Sequence, residues 1–120
     1  MKNFKELLVW QKAHLLTLSL YKITKCFPED EKYGLVSQIK RAACSIAANI
    51  AEGCGGNSDT EFARYLQIAL GSASELEYHI LLAHDLKMID ASNYEKLTND
   101  VVEIKKMLTS FIKKLRADRT

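Results

Sequence analysis

Val9, Ala13, Leu16, Leu20, Ile23 and Phe27 recur at alternating steps of four and three residues, a spacing that lays one apolar stripe along a helix. The stripe predicts a first helix over residues 5–26. Pro28 cannot continue it, because proline lacks a backbone N–H and clashes with the preceding turn; Glu29, Asp30 and Glu31 suit the first turn of a new helix. Leu35, Ile39, Ala42, Ile46 and Ile50 carry the next stripe, which predicts a helix over 31–53, with Gly53, Gly55 and Gly56 expected to end it at positive φ. Ser58, followed three residues later by Glu61, matches a capping box ahead of Phe62, Leu66, Ala69, Ala73, Leu76, Ile80 and Ala83, so a third helix is expected over 58–88. Beyond Asp90, the row Tyr94, Leu97, Val101, Ile104, Leu108, Phe111 and Leu115 predicts a fourth helix over 92–116. Four such stripes joined by short loops bury one another when neighbours pack antiparallel. The expected fold is an all-α, up-down-up-down four-helix bundle, one domain over residues 1–120.

Two helices carry apolar residues on a second face. On the third, Ile68, Gly71, Tyr78, Leu82 and Ile89 form a row with Arg64, Glu75 and Asp85 opposite the core stripe; on the first, Leu7, Trp10, His14 and Tyr21 lie opposite, with Thr17 or Leu18 between. A continuous row that includes Trp and Tyr marks a partner surface. In a square bundle helices 1 and 3 sit on a diagonal, so the two rows face opposite sides and pair most simply head to tail, which closes into a ring; two separate two-fold contacts giving a dihedral tetramer are the alternative. On helix 2 a polar stripe, Gln38, Arg41, Ser45, Asn49 and Glu52, borders the core rather than opposing it. Unpaired burial of such groups is costly, so they are expected to bond to Arg64, Ser72 or Glu75 of helix 3 or to a neighbouring subunit, as a network fixing register or as a ligand contact.

Charge changes the picture through its distribution. Over 120 residues the 17 Lys and Arg nearly balance the 15 Asp and Glu, yet residues 1–26 and 103–120 each carry +4, leaving −6 for the middle. Up-down topology gathers Lys2, Lys5, Lys113, Lys114, Arg116 and Arg119 at one pole with the glycine loop, a candidate nucleic-acid contact that a ring would multiply on one face. Recognition there would be of backbone and shape. No apolar run reaches membrane-span length and no signal-peptide core is present, so a cytoplasmic protein without a membrane role is expected. Cys26, Cys44 and Cys54 are odd in number and widely spaced, and are expected as buried thiols rather than disulfides or zinc ligands.

Catalytic chemistry finds no support. A di-iron bundle needs Glu-x-x-His, which is absent; Glu75 and His79 are four apart, with Glu75 on the outward row. Gly53-Cys54-Gly55-Gly56 lacks the preceding strand and following Gly-Lys-Ser/Thr of a P-loop, and Cys44 has no evident base. No catalytic residue, metal ligand or cofactor is indicated, and the chain is expected not to be an enzyme.

Leu8-Val9-Trp10-Gln11-Lys12-Ala13, the run from Phe27-Pro28 through Tyr33-Gly34-Leu35, Gln38, Arg41-Ala42-Ala43, Ser45-Ile46, Asn49-Ile50-Ala51-Glu52-Gly53, then Phe62, Tyr65-Leu66 and Gly71-Ser72 with Glu75-Leu76, resemble the bacterial four-helix-bundle proteins encoded in 23S rRNA intervening sequences, also called S23 ribosomal protein-like. The chain departs at Asn57, where many relatives carry a basic residue. The resemblance implies an antiparallel bundle that assembles into a homopentameric ring. It extends to the accessory protein of diversity-generating retroelements, a basic pentamer that works with RNA and a reverse transcriptase. The expected function is therefore a non-enzymatic homo-oligomeric scaffold that binds structured RNA or a nucleic-acid-processing protein through a basic ring face, the alternative being a protein-protein interaction module with no nucleic-acid role.

Overall fold

The fold is a computed structural model that describes residues 3–117. Four helices make it: α1 (Leu8–Ile23), α2 (Leu35–Cys54), α3 (Asp59–Asp85) and α4 (Ala91–Ala117), with 3-10 turns at Phe4–Glu6, Thr24–Cys26 and Glu29–Glu31. Among the described residues there is no strand, and no helix is long and apolar enough to cross a membrane. The molecule measures 49 × 21 × 20 Å, so helices of 27 residues, about 40 Å long, lie along its long axis.

Each helix touches two others: α1 packs on α2 and α4, and α3 packs on the same two neighbours. Across the α2–α3 and α3–α4 seams the residue numbers fall on one helix as they rise on the other. Arg41, Ser45 and Glu52 meet Glu75, Ser72 and Tyr65. Phe62, Glu77 and His84 meet Phe111, Lys105 and Tyr94. Between the helices, Val9, Ala13, Leu16 and Leu20 of α1 join Ile39, Ile46 and Ile50 of α2, the whole Phe62–Ala83 stripe of α3, and Leu97, Val101, Ile104, Leu108, Ile112 and Leu115 of α4 in one buried core.

The helix ends have local causes. Ser58 Oγ accepts the Glu61 N–H (3.1 Å) and opens α3, but the Glu61 carboxylate turns to Arg64 rather than back to Ser58, so half of the capping box forms. Asp90 accepts the Asn93 N–H (2.7 Å) at the start of α4. α2 begins at Leu35, the first residue of its stripe and four residues later than the acidic run after Pro28 suggests, with Gly34 at φ −106° and ψ −108° and the 3-10 turn Glu29–Glu31 before it.

Three expectations need correction. First, α3 stops at Asp85, short of residue 88: Lys87 takes φ 65°, and the Met88 and Lys87 N–H groups bond to the carbonyls of Ala83 and His84, a Schellman ending built on lysine instead of glycine. Past that reversal the helical period no longer applies, and Ile89 turns into the core, 5% exposed, rather than outward to a subunit contact. Second, no described glycine has positive φ; Gly53 is buried where α2 meets α3, and its role is steric. Third, Cys54 is buried, but Cys26 lies in the exposed turn after α1 and Cys44 on the outward face of α2, with its sulfur 3.4 Å from the Tyr21 hydroxyl.

Candidate functional site

The polar stripe of α2 runs at steps of three and four residues, which keeps it beside the core and against α3. Arg41 donates to Gln38 within its own helix and to Glu75 across the seam at 2.7 Å. The same Glu75 oxygen lies 3.1 Å from His79 Nε2. One turn along, the Ser45 and Ser72 hydroxyls are 2.8 Å apart, and the Asn49 amide donates to the Ser45 carbonyl and hydroxyl. At the glycine-loop end the Tyr65 hydroxyl donates to Glu52 at 3.3 Å. The structure thus brings Gln38, Arg41, Ser45, Asn49, Glu52 and Glu75 into one line, and adds His79 and Tyr65; Arg64 pairs instead with Glu61 of its own helix, at 2.6 Å. The line holds α2 against α3 while its outer edge, with the Arg41 side chain 60% exposed, stays in water.

The hydrogen bond from His79, with Arg41 beside it, holds the Glu75 carboxyl below its ordinary value. A depressed carboxyl stabilises the fold above its unfolded value and loses that contribution as pH falls through its folded value. The pair is partly solvated, so the contribution is small, about 0.2–1 kcal/mol. Urea midpoints of the wild type and Glu75→Gln are expected to differ at pH 7 and to converge as the pH falls below the folded-state value of the carboxyl. A difference that persists once the carboxyl is protonated in both states would assign the effect to packing rather than charge.

The outward rows differ in detail from the sequence pattern. On α1, His14 and Tyr21 are exposed, but Leu7 and Trp10 are half-buried at the edge of the core, with Trp10 stacked on His14 and edge-on to Phe4. The most exposed leucines on this helix are Leu15 (63%), Leu8 (58%) and Leu18 (54%). The sequence row already points Leu18 outward; for Leu8 and Leu15 the signal was the doublets Leu7-Leu8 and Leu15-Leu16, since adjacent residues lie 100° apart and one of each pair leaves the core. On α3, Ile68, Gly71 and Tyr78 are exposed and Leu82 is half-buried.

At one end of the molecule Lys5, Lys113, Lys114 and Arg116 are exposed; Lys2 and Arg119 lie outside the described residues. Arg116 borders a shallow cleft with Thr60, Glu61, Arg64, Gln67 and Ile68, and Arg64 lies over the Tyr65 ring at 4.6 Å. Glu61 therefore shares this basic end. The pairing of Glu61 and Arg64 is an i,i+3 contact that the sequence allowed without selecting. Among the described residues no group of three or more His, Cys, Asp or Glu side chains is placed to hold a metal ion.

Residues 5–110 match the family described as 23S rRNA-intervening sequence protein. The chain belongs to that family. A solved structure of a protein of unknown function from the S23 ribosomal protein family of Bacteroides thetaiotaomicron is similar to it, with 34% identity and a TM-score of 0.81 over 88% of this chain and 95% of that one. No curated protein matches the chain. Membership of the 23S rRNA-intervening sequence family accounts for the four helices, and the solved relative carries no assigned activity.

Proposed function

We propose that this 23S rRNA-intervening sequence family protein is a non-enzymatic scaffold, an up-down-up-down bundle that self-associates into a homopentameric ring in the cytoplasm and holds structured RNA on a basic face. The opposed numbering across the α2–α3 and α3–α4 seams supports the topology. The observation that carries the assembly is the exposed apolar residues on two helices that do not pack on each other, Leu8, Leu15, Leu18 and Tyr21 on α1 and Ile68 and Tyr78 on α3. Lys5, Lys113, Lys114 and Arg116 lie at one end of each subunit, so subunits sharing one axis direction add their charge on one face, and weak single contacts combine.

Titrating a labelled structured RNA at 50 and 200 mM salt tests the reading. Affinity is expected to fall by about 0.7 log unit per log unit of salt for each single-strand phosphate contacted. Reversing Lys113, Lys114 and Arg116 to Glu together is expected to remove binding while light scattering gives an unchanged assembly mass. Binding that is absent, or that ignores salt, eliminates the RNA role and leaves a protein-interaction module, a reading that Glu61 among the basic residues favours.

A further inference from the structure

From Ile104 to Arg116 the sequence holds Lys105, Lys106, Lys113, Lys114 and Arg116 and no Asp or Glu. Part of this run has an ordinary cause: cations in the last turn of a helix complement its unpaired carbonyls, and Lys114 and Arg116 stand in the last turn of α4. The effect falls off within that turn, so it does not reach Lys105 and Lys106, about three turns before the end. Lys105 has a partner of its own, Glu77 across the seam at 2.9 Å. Lys106 is exposed and makes no ion pair among the described residues.

Lys106, Thr109, Lys113 and Arg116 step by three, four and three residues, which sets them in one exposed row on α4, away from its buried stripe of Ile104, Leu108 and Leu115. At each end the row borders a cleft on the α3 side. Glu77, Val102, Lys105, Lys106, Thr109 and Ser110 line one; Arg116 lines the other with Arg64 and Gln67. The carboxylates in these clefts are already engaged, Glu77 by Lys105 and Glu61 by Arg64, which leaves the charges of Lys106, Lys113 and Arg116 for a ligand. Lys106 to Arg116 spans about 15 Å of helix, the length over which a stacked strand places about four phosphates. A row one side chain wide and parallel to the helix axis suits one strand, whereas a duplex presents two. Resting on the RNA binding proposed above, we infer that an unpaired RNA strand lies lengthwise along α4 on the α3 side, its phosphates on Lys106, Lys113 and Arg116, so that the binding surface runs from the basic end along the flank of the bundle.

The probe is a labelled oligouridine of about 12 nucleotides, titrated with the full chain by fluorescence anisotropy over a range of salt. Lys106→Gln removes a cation of the row far from the basic end; Lys5→Gln removes a cation of that end, ahead of α1 and off the row. Both positions are exposed, and both variants are expected to keep the circular dichroism of the wild type. Loss of one phosphate contact lowers the salt slope by about 0.7, so Lys106→Gln is expected to bind about fivefold more weakly at about 0.1 M salt, with the gap closing toward about 1 M, while Lys5→Gln binds as the wild type does. Lys106→Arg keeps the charge and is expected to restore both affinity and slope. If Lys5→Gln weakens binding and Lys106→Gln does not, the strand wraps the end and the lengthwise docking is overturned. Equal losses from the two overturn it as well, because any exposed cation would then serve. If the wild type binds structured RNA but not the oligouridine, the single-strand docking falls while the RNA function stands; if it binds neither, both fall together.

Discussion

Leu76→Ala is expected to lower the unfolding free energy by about 2–5 kcal/mol, read as a shift of the urea midpoint at unchanged slope. Leu76 has no exposed surface, and it sits on α3, the helix that packs on both α2 and α4 along much of its length. Truncation removes its transfer free energy and leaves a cavity that three rigid helices can close only in part, which is why a deletion here costs more than surface area alone suggests. In thermal terms the loss is on the order of 10 °C or more for a domain of this size. Two residues further, Tyr78→Ala provides the control: Tyr78 is 56% exposed, and its loss is expected to stay within about 0.5 kcal/mol for a single copy. If the two substitutions cost the same, α3 does not present its Leu76 face to the core, and the assignment of inner and outer rows is wrong.

The rows on which that contrast rests were legible to different degrees. On α3 each of Phe62, Leu66, Ala69, Ala73, Leu76, Ile80 and Ala83 is buried, as the strict rhythm of the sequence implied. On α4 the same rhythm points to Phe111, yet Ile112 is the buried residue and Phe111 packs from the edge. The buried set Leu108, Ile112 and Leu115 steps by four and then three where the sequence row steps by three and then four, and either order keeps one face, since Phe111 and Ile112 are only 100° apart. The polar line on α2 was legible because charged groups beside a core must find partners, and Arg41 with Glu75 and Ser45 with Ser72 do so. Leu8 and Leu15 were not, because a doublet of leucines satisfies a core pattern with either member. The end of α3 was hidden for another reason: a lysine at φ 65° replaces the glycine that announces such a stop, so Ile89 read as one more turn of helix. The glycine loop misled in the opposite direction. Its residues advertise left-handed backbone, and the backbone there does not use it.

Gly53→Ala is the second large effect, and its sign separates the two explanations of that glycine. Were Gly53 only a helix terminator, alanine would be neutral or would add the stability that helix propensity gives, up to about 1 kcal/mol. The added Cβ would instead lie 2.7 Å from Tyr65 Cβ, 2.9 Å from Phe62 Cδ1 and 3.4 Å from the Phe62 carbonyl. A Cβ is fixed to its backbone, so no rotamer change of Tyr65 relieves the first contact; α2 and α3 must part at this end. The displacement reaches further, because Phe62 packs edge-on against Phe111 of α4 at 5.1 Å and Tyr65 holds Glu52 across the seam. Overpacking of this kind costs about 1–3 kcal/mol, and the thermal midpoint is expected to fall accordingly. Gly55→Ala, two residues along, is the comparison: there the new Cβ would meet only the Glu52 and Ala51 carbonyls, at 3.7 and 3.8 Å, which is ordinary contact, and the change is expected to stay within about 0.5 kcal/mol. Equal midpoints for the two variants would mean that the close approach of α2 and α3 at Gly53 does not exist. A fall confined to Gly53→Ala would place a close α2–α3 contact at the end that also carries Arg64 and Arg116.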